Sequence, residues 1–264
     1  ITPHLYFWIE ESVNYNARDL YVLAEAFENS IYPTNREFFG SEWSPGVDND
    51  EHLYILYSGG IGFTTAGYFS SFDELHPLAH EYSNAHEMFL MNADNTFLYE
   101  EYAYAVLAHE FQHMIHWYLD RNETSWLNEG FAELAVQLNG YSTGGFDWLY
   151  LSDPDLQLNT WSDDSAHYGA AYLFVTYLLD RLGESITRSL AAHPENGMDS
   201  LDTVLRNESI IDPRTGEQML ADDLVLDWAV TNLVNDGSLG QGQYEYITNT
   251  LVTTVSPTED VHGC

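Results

Sequence analysis

Lysine is absent from this 264-residue chain, and its seven basic residues are all arginines, set against 42 Asp and Glu for a net charge of −35. Binding to nucleic acid or to an anionic membrane draws on basic side chains, so this composition argues against both as partners. Cysteine occurs once, as Cys264, which leaves no internal disulfide and no cysteine-based zinc cluster. Long apolar runs are missing too. The longest, such as LAVQL (134–138) and AAYLFV (170–175), fall far short of a membrane span. The chain opens on ITPHLYFW, with neither an initiator Met nor a basic-then-apolar leader, and reads as a processed or excised piece of a longer protein.

What is present is enough for a core. Apolar residues make up 45% of the chain and aromatics 15%, which separates it from disordered acidic chains. The acidic surface favours solubility at a cost in self-repulsion that salt or divalent cations relieve. A saline or acidic habitat and an ordinary acidic secreted protein both fit.

The patterning changes along the chain. HLYFWIE (4–10), LYILYS (53–58) and EMFLMN (87–92) read as strands, and GGIGFTTAGYFSS (59–71) begins Gly-rich and turns β-like. RDLYVLAEAFENSIY (18–32) has helical spacing and is expected to stop before Pro33. Residues 97–119 predict a long helix, 120–125 a loop, 126–140 a helix closed by Gly140, and 163–183 another closed by Gly183. Shorter helices follow to about residue 235, clearest at 225–234, and 248–257 is β-prone or an exit linker. Strands with a helix, then helices, predict an α+β fold. We expect an N-terminal lobe over 1–96, with a mixed sheet and a substrate-binding edge strand. A mainly helical lobe over 97–264 packs against it, the two forming one catalytic domain with the active site between them.

Residues 109–113 read HEFQH. On a helix, i and i+4 share one face, so His109 and His113 point the same way and can hold one Zn²⁺. Glu110, one residue on, is badly placed as a ligand to that ion but well placed to take a proton from water beside it. This is the HExxH pattern of two ligands and a general base. A catalytic zinc needs a third protein ligand and an open position. The sequence WLNEGFAE (126–133) returns Glu129 and, one turn further, Glu133. Glu129 suits the third ligand, and Glu133 can accept a proton from a ligand imidazole and fix its tautomer. The bland alternative is a solvated helix face. Gly130 is costly inside a helix, and a close approach of two helices would explain it.

HEFQH followed by WLNEGFAE resembles the Glu-ligand zinc peptidases, the gluzincins of the MA clan. WLNEGFA is close to the corresponding string of gluzincin aminopeptidases, and HEFQHMI with NEG resembles the hyicolysin-like and related bacterial MA-type peptidases. The likeness covers roughly residues 87–183. It implies a zincin-like fold, zinc ligands His109, His113 and Glu129, the base Glu110, and Glu133 as the acidic residue behind the ligands. In the aminopeptidases a tyrosine opening a later helix hydrogen-bonds the tetrahedral intermediate. HYGAAYLFVTYL (167–178) resembles that helix start and puts Tyr168 at the matching place, with His167 as the substitute donor. The Gly-x-Met-Glu-Asn motif that binds a free amino terminus is absent. The resemblance therefore implies a secreted zinc metalloendopeptidase acting on protein or peptide substrates. An aminopeptidase of the same clan and an inactive zinc-binding interaction module are the alternatives. Substrate pairing by strand addition has two candidate strands, 87–92 and 62–70.

Asp48, Asp50 and Glu51 carry the oxygen ligands that Ca²⁺ takes, although their loop departs from the EF-hand pattern and a solvated turn fits as well. His76, His80 and His86 lie among acids and offer a candidate second metal site, and His116 reads as scaffold or pocket lining beside the metal pair.

Overall fold

The computed structural model describes residues 1–249 and 255. The expected β-prone tail at 248–257 and Cys264 lie almost wholly outside the described residues. The fold is α+β, with one small mixed sheet. The chain divides into two compact units, residues 1–121 with 135–144, and residues 122–134 with 145–264.

In the first unit, β1 (Leu5–Ile9), β2 (Leu53–Ser58), β3 (Gly67–Phe69) and β4 (Met88–Asn92) form a sheet of order β1-β2-β4-β3. The first three neighbours run parallel, Leu5 opposite Leu53 and Tyr54 opposite Met88. β3 is antiparallel to β4, with Tyr68 opposite Leu90. β4 is buried along its whole length, as expected of an interior strand covered on both faces. This order separates the two candidate edge strands. Residues 87–92 are flanked on both sides, and within 62–70 it is β3 that forms a sheet edge.

The first helical region is longer than its sequence suggests. α1 (Ala17–Ala26) runs through a π-type turn, Phe27–Ile31, directly into α2 (Tyr32–Phe39). Helix was expected to end before Pro33. Pro33 instead occupies the first turn of α2, where its missing N–H is no loss. α3 (Glu101–Leu119) packs on β3, β4, α2 and the π turn. Phe111 of α3 meets Phe27 at 5.4 Å between ring centroids, and Phe27 meets Phe89 of β4 at 6.4 Å. Buried Asn35 of α2 donates to the Ala108 carbonyl at 2.8 Å, tying α2 to the middle of α3. Such aromatic contacts contribute beyond the area they bury.

α4 (Ser125–Leu138) follows, and Gly140 beyond it has φ +78°, the left-handed turn expected there. The second unit holds α5 (Phe146–Ser152), α6 (Ser165–Leu182), α7 (Glu184–Ala191), α8 (Gly197–Asn207) and α9 (Ala221–Val234). Asp164 caps α6, accepting from the backbone N–H groups of Ala166 and His167 at 3.0 Å each. The core here is aromatic. Trp126 and Phe174 lie 5.7 Å apart, Phe174 and Trp228 5.5 Å, and Tyr150 stacks on Trp228 at 5.6 Å. No helix among the described residues is long and apolar enough to cross a membrane.

Candidate metal centre

The middle of α3 is apolar on most sides. Leu107, Ala108, Phe111, Met114 and Ile115 are fully buried, so the helix is anchored around the HEFQH turn. His109 and His113 are half-buried, and Glu110 is buried at 7% exposure. One turn apart, the two imidazoles bring their Nε2 atoms to 3.0 Å, with ring planes at 83°. Two nitrogens at 2.0–2.1 Å from one tetrahedral ion would stand about 3.3 Å apart, so the pair is nearly set for a shared cation.

Glu129 and Glu133 lie one turn apart on α4. Glu129 is half-buried and Glu133 buried at 4%. A Cβ added to Gly130 would come within 2.7 Å of Val175 Cγ2 and 2.9 Å of the Ala171 carbonyl oxygen. The close approach expected at this glycine is therefore to α6. The start of α6 also carries Tyr168, whose hydroxyl donates to Asp163 Oδ1 at 3.2 Å. Desolvation first, and then the charges of Glu129, Asp163 and Glu133, push the Tyr168 phenol far above its ordinary range. It therefore stays neutral, as a hydrogen-bond donor must. His167 is drawn aside, its Nδ1 2.9 Å from Ser162 Oγ and 3.0 Å from Asp164 Oδ2.

One donor atom each from His109, His113 and Glu129 lie within 4.8 Å of one another. Two imidazoles and a carboxylate are a borderline donor set that suits zinc and leaves a position open, so the residues fit the ion that the sequence motif calls for.

His116, Asp120 and Glu123 meet the same spacing. The sequence marks His116 only as scaffold or pocket lining and gives Asp120 no role. The available signal is the i, i+4 interval from His116 in the last turn of α3 to Asp120 just beyond its end. Glu123 Oε1 there accepts from Thr124 Oγ1 at 2.8 Å and from Gly197 N–H at 2.8 Å. Two of the three acids considered for Ca²⁺ are otherwise engaged. Asp48 pairs with His86 at 2.7 Å, and Asp50 accepts from Tyr6 and from the His52 N–H. Among the described residues neither this loop nor His76, His80 and His86 forms a three-donor group.

No family model matches the chain. It is 27% identical over 221 residues to the neutral metalloprotease ShpI of Staphylococcus hyicus, with 73% of this chain and 49% of that protein covered. The chain thus spans about half the length of the curated relative it matches.

Proposed function

We propose that this chain is a zinc metallopeptidase of gluzincin type, hyicolysin-like, zincin-like in fold, secreted, and cleaving internal peptide bonds. The observation that carries this reading is the gathering of His109, His113 and Glu129 donor atoms within 4.8 Å. The similarity to ShpI supports a metalloprotease-type function. In this reading residues 1–96 contribute the edge strand and residues 97–264 the chemistry, within one catalytic domain.

His109, His113 and Glu129 would hold the zinc, which when bound supplies Lewis acidity toward the scissile carbonyl and acidifies water. Glu110, held by the buried turn of α3, takes the proton of the attacking water and returns it to the leaving amine. Tyr168, neutral across the working range, donates a hydrogen bond to the developing oxyanion. For that it releases Asp163, a 3.2 Å bond that is long for one between hydroxyl and carboxylate. Glu133 accepts a proton from a ligand imidazole and fixes its tautomer. The free side of β3 takes the substrate backbone by strand addition.

Zinc content should be measured alongside cleavage of a casein-type substrate, with chelator and zinc add-back. Glu110→Gln should keep the metal and lose about 10²–10⁴-fold in turnover. Undiminished cleavage by that variant would remove Glu110 as base. Fluorogenic peptides with blocked ends should be cut as well as those with free ends. A strict requirement for a free amino terminus would make the enzyme an aminopeptidase.

A further inference from the structure

Gly67 opens β3 and has ordinary strand conformation, so no left-handed backbone angle calls for glycine there. What calls for it is proximity. A Cβ added at Gly67 would lie 2.7 Å from Val106 Cγ1, 2.8 Å from the Leu90 carbonyl oxygen and 3.3 Å from Glu110 Cγ. Contacts under 3.0 Å do not occur for real Cβ atoms, so the strand or the helix would have to move. Val106 and Glu110 are i, i+4 on α3 and share one face. The bare backbone of Gly67 therefore rests on the helical turn that presents Glu110. A glycine inside a strand often marks such a close approach.

The ladder gives the same residue a second role. Asn92 N–H donates to the Ala66 carbonyl at 2.8 Å, and Gly67, Tyr68 and Phe69 face Met91, Leu90 and Phe89. Hydrogen-bonded and non-bonded pairs alternate in an antiparallel ladder. Tyr68 thus turns its N–H and C=O toward β4, while Gly67 and Phe69 turn theirs to the open edge.

We propose that Gly67 is a positioning residue: with no side chain, it sets the distance between the substrate-pairing edge of β3 and the carboxylate of Glu110. A peptide hydrogen-bonded to Gly67 is then held in register with the base by a single layer of backbone. The inference rests on the peptidase reading, in which Glu110 is the base.

The test is Gly67→Ala in the full chain, assayed with zinc content, Tm, kcat and KM. Displacement of about 1 Å can cost on the order of 10²-fold, so kcat should fall roughly 10–100-fold with zinc content kept. The loss should sit in kcat with KM near its parental value, the split expected when an interaction of the reacting state is displaced. Adding Val106→Ala removes the nearest clashing atom and should recover several-fold in kcat. Should Gly67→Ala not fold, Val106→Ile presses on the same contact from the helix side and should lower kcat alone. Parental kcat in the folded Gly67→Ala variant, or in Val106→Ile, would overturn the proposal. So would activity lost only in proportion to zinc. Glu110→Gln run beside them separates the two failures: if it stays active, the base assignment falls, whatever Gly67 does.

Discussion

The Nε2 atoms of His109 and His113 stand 3.0 Å apart on successive turns of α3. Two neutral imidazoles at that distance are either sharing one proton or close to sharing one cation. The second reading ties affinity to both rings at once. His113→Ala should lower zinc affinity by at least two orders of magnitude and abolish peptidase activity, checked by competition with a chromophoric chelator. The helix should survive, since the residues on either side of His113, Gln112 and Met114, are fully buried.

Gly130 tests how tightly α4 lies on α6. Alanine there gains at most about 1 kcal/mol of helix propensity. It also drives a Cβ to 2.9 Å from the Ala171 carbonyl oxygen, a backbone atom, and overpacking costs about 1–3 kcal/mol. The steric cost wins. Gly130→Ala should lower Tm and, by shifting neighbouring Glu129, weaken zinc binding in the same competition assay.

Tyr168→Phe removes a donor and almost no volume. Loss of one donor to an oxyanion typically costs about 10²–10³ in kcat. That drop should appear with zinc content and KM near parental values. The phenol is held well above its usual range by burial and three carboxylates.

Two buried acids distant in sequence from the centre set a pH dependence of stability. Burial, then the charge of Glu87, pushes Glu74 up to about 8, with Arg121 opposing and Glu42 and Asp73 adding to the rise. Burial pushes Glu87 up to about 7, although its Oε1 accepts from Val47 N–H at 2.7 Å. A carboxyl whose folded pKa is raised binds its proton more tightly in the native state. Its contribution is full below the ordinary value near 4.5 and is lost as pH climbs through 7 to 8. Stability should therefore fall from pH 5 to pH 8. Glu74→Gln should flatten that slope, raising Tm at pH 8 by about 2–4 °C per kcal/mol relieved, as differential scanning calorimetry at the two pH values would read.

The long elements were legible because their periodicity is local. Residues 53–58 form β2 as read, and 97–119 encloses α3. The HEFQH turn was legible for the same reason, since i, i+4 geometry follows from helix alone. Other features depend on partners far along the chain. Pro33 reads as a stop, and only the π turn before it lets helix continue. α5 lacks a long periodic stretch, and its seven residues after Gly144 and Gly145 carry too little pattern to signal a helix. The edge position of β3 follows from strand order, which periodicity does not encode. Gly67 carries no signal of its own until Val106 and Glu110 are seen beside it.

Anomalous diffraction at the zinc edge, on crystals of the intact chain, tests the central claim most directly. The expected result is one fully occupied ion with His109 and His113 nitrogens at about 2.0–2.1 Å and a Glu129 oxygen at about 2.0–2.2 Å. An ion ligated instead by His116, Asp120 and Glu123, or no ion on the HEFQH turn in zinc-replete crystals, would contradict it.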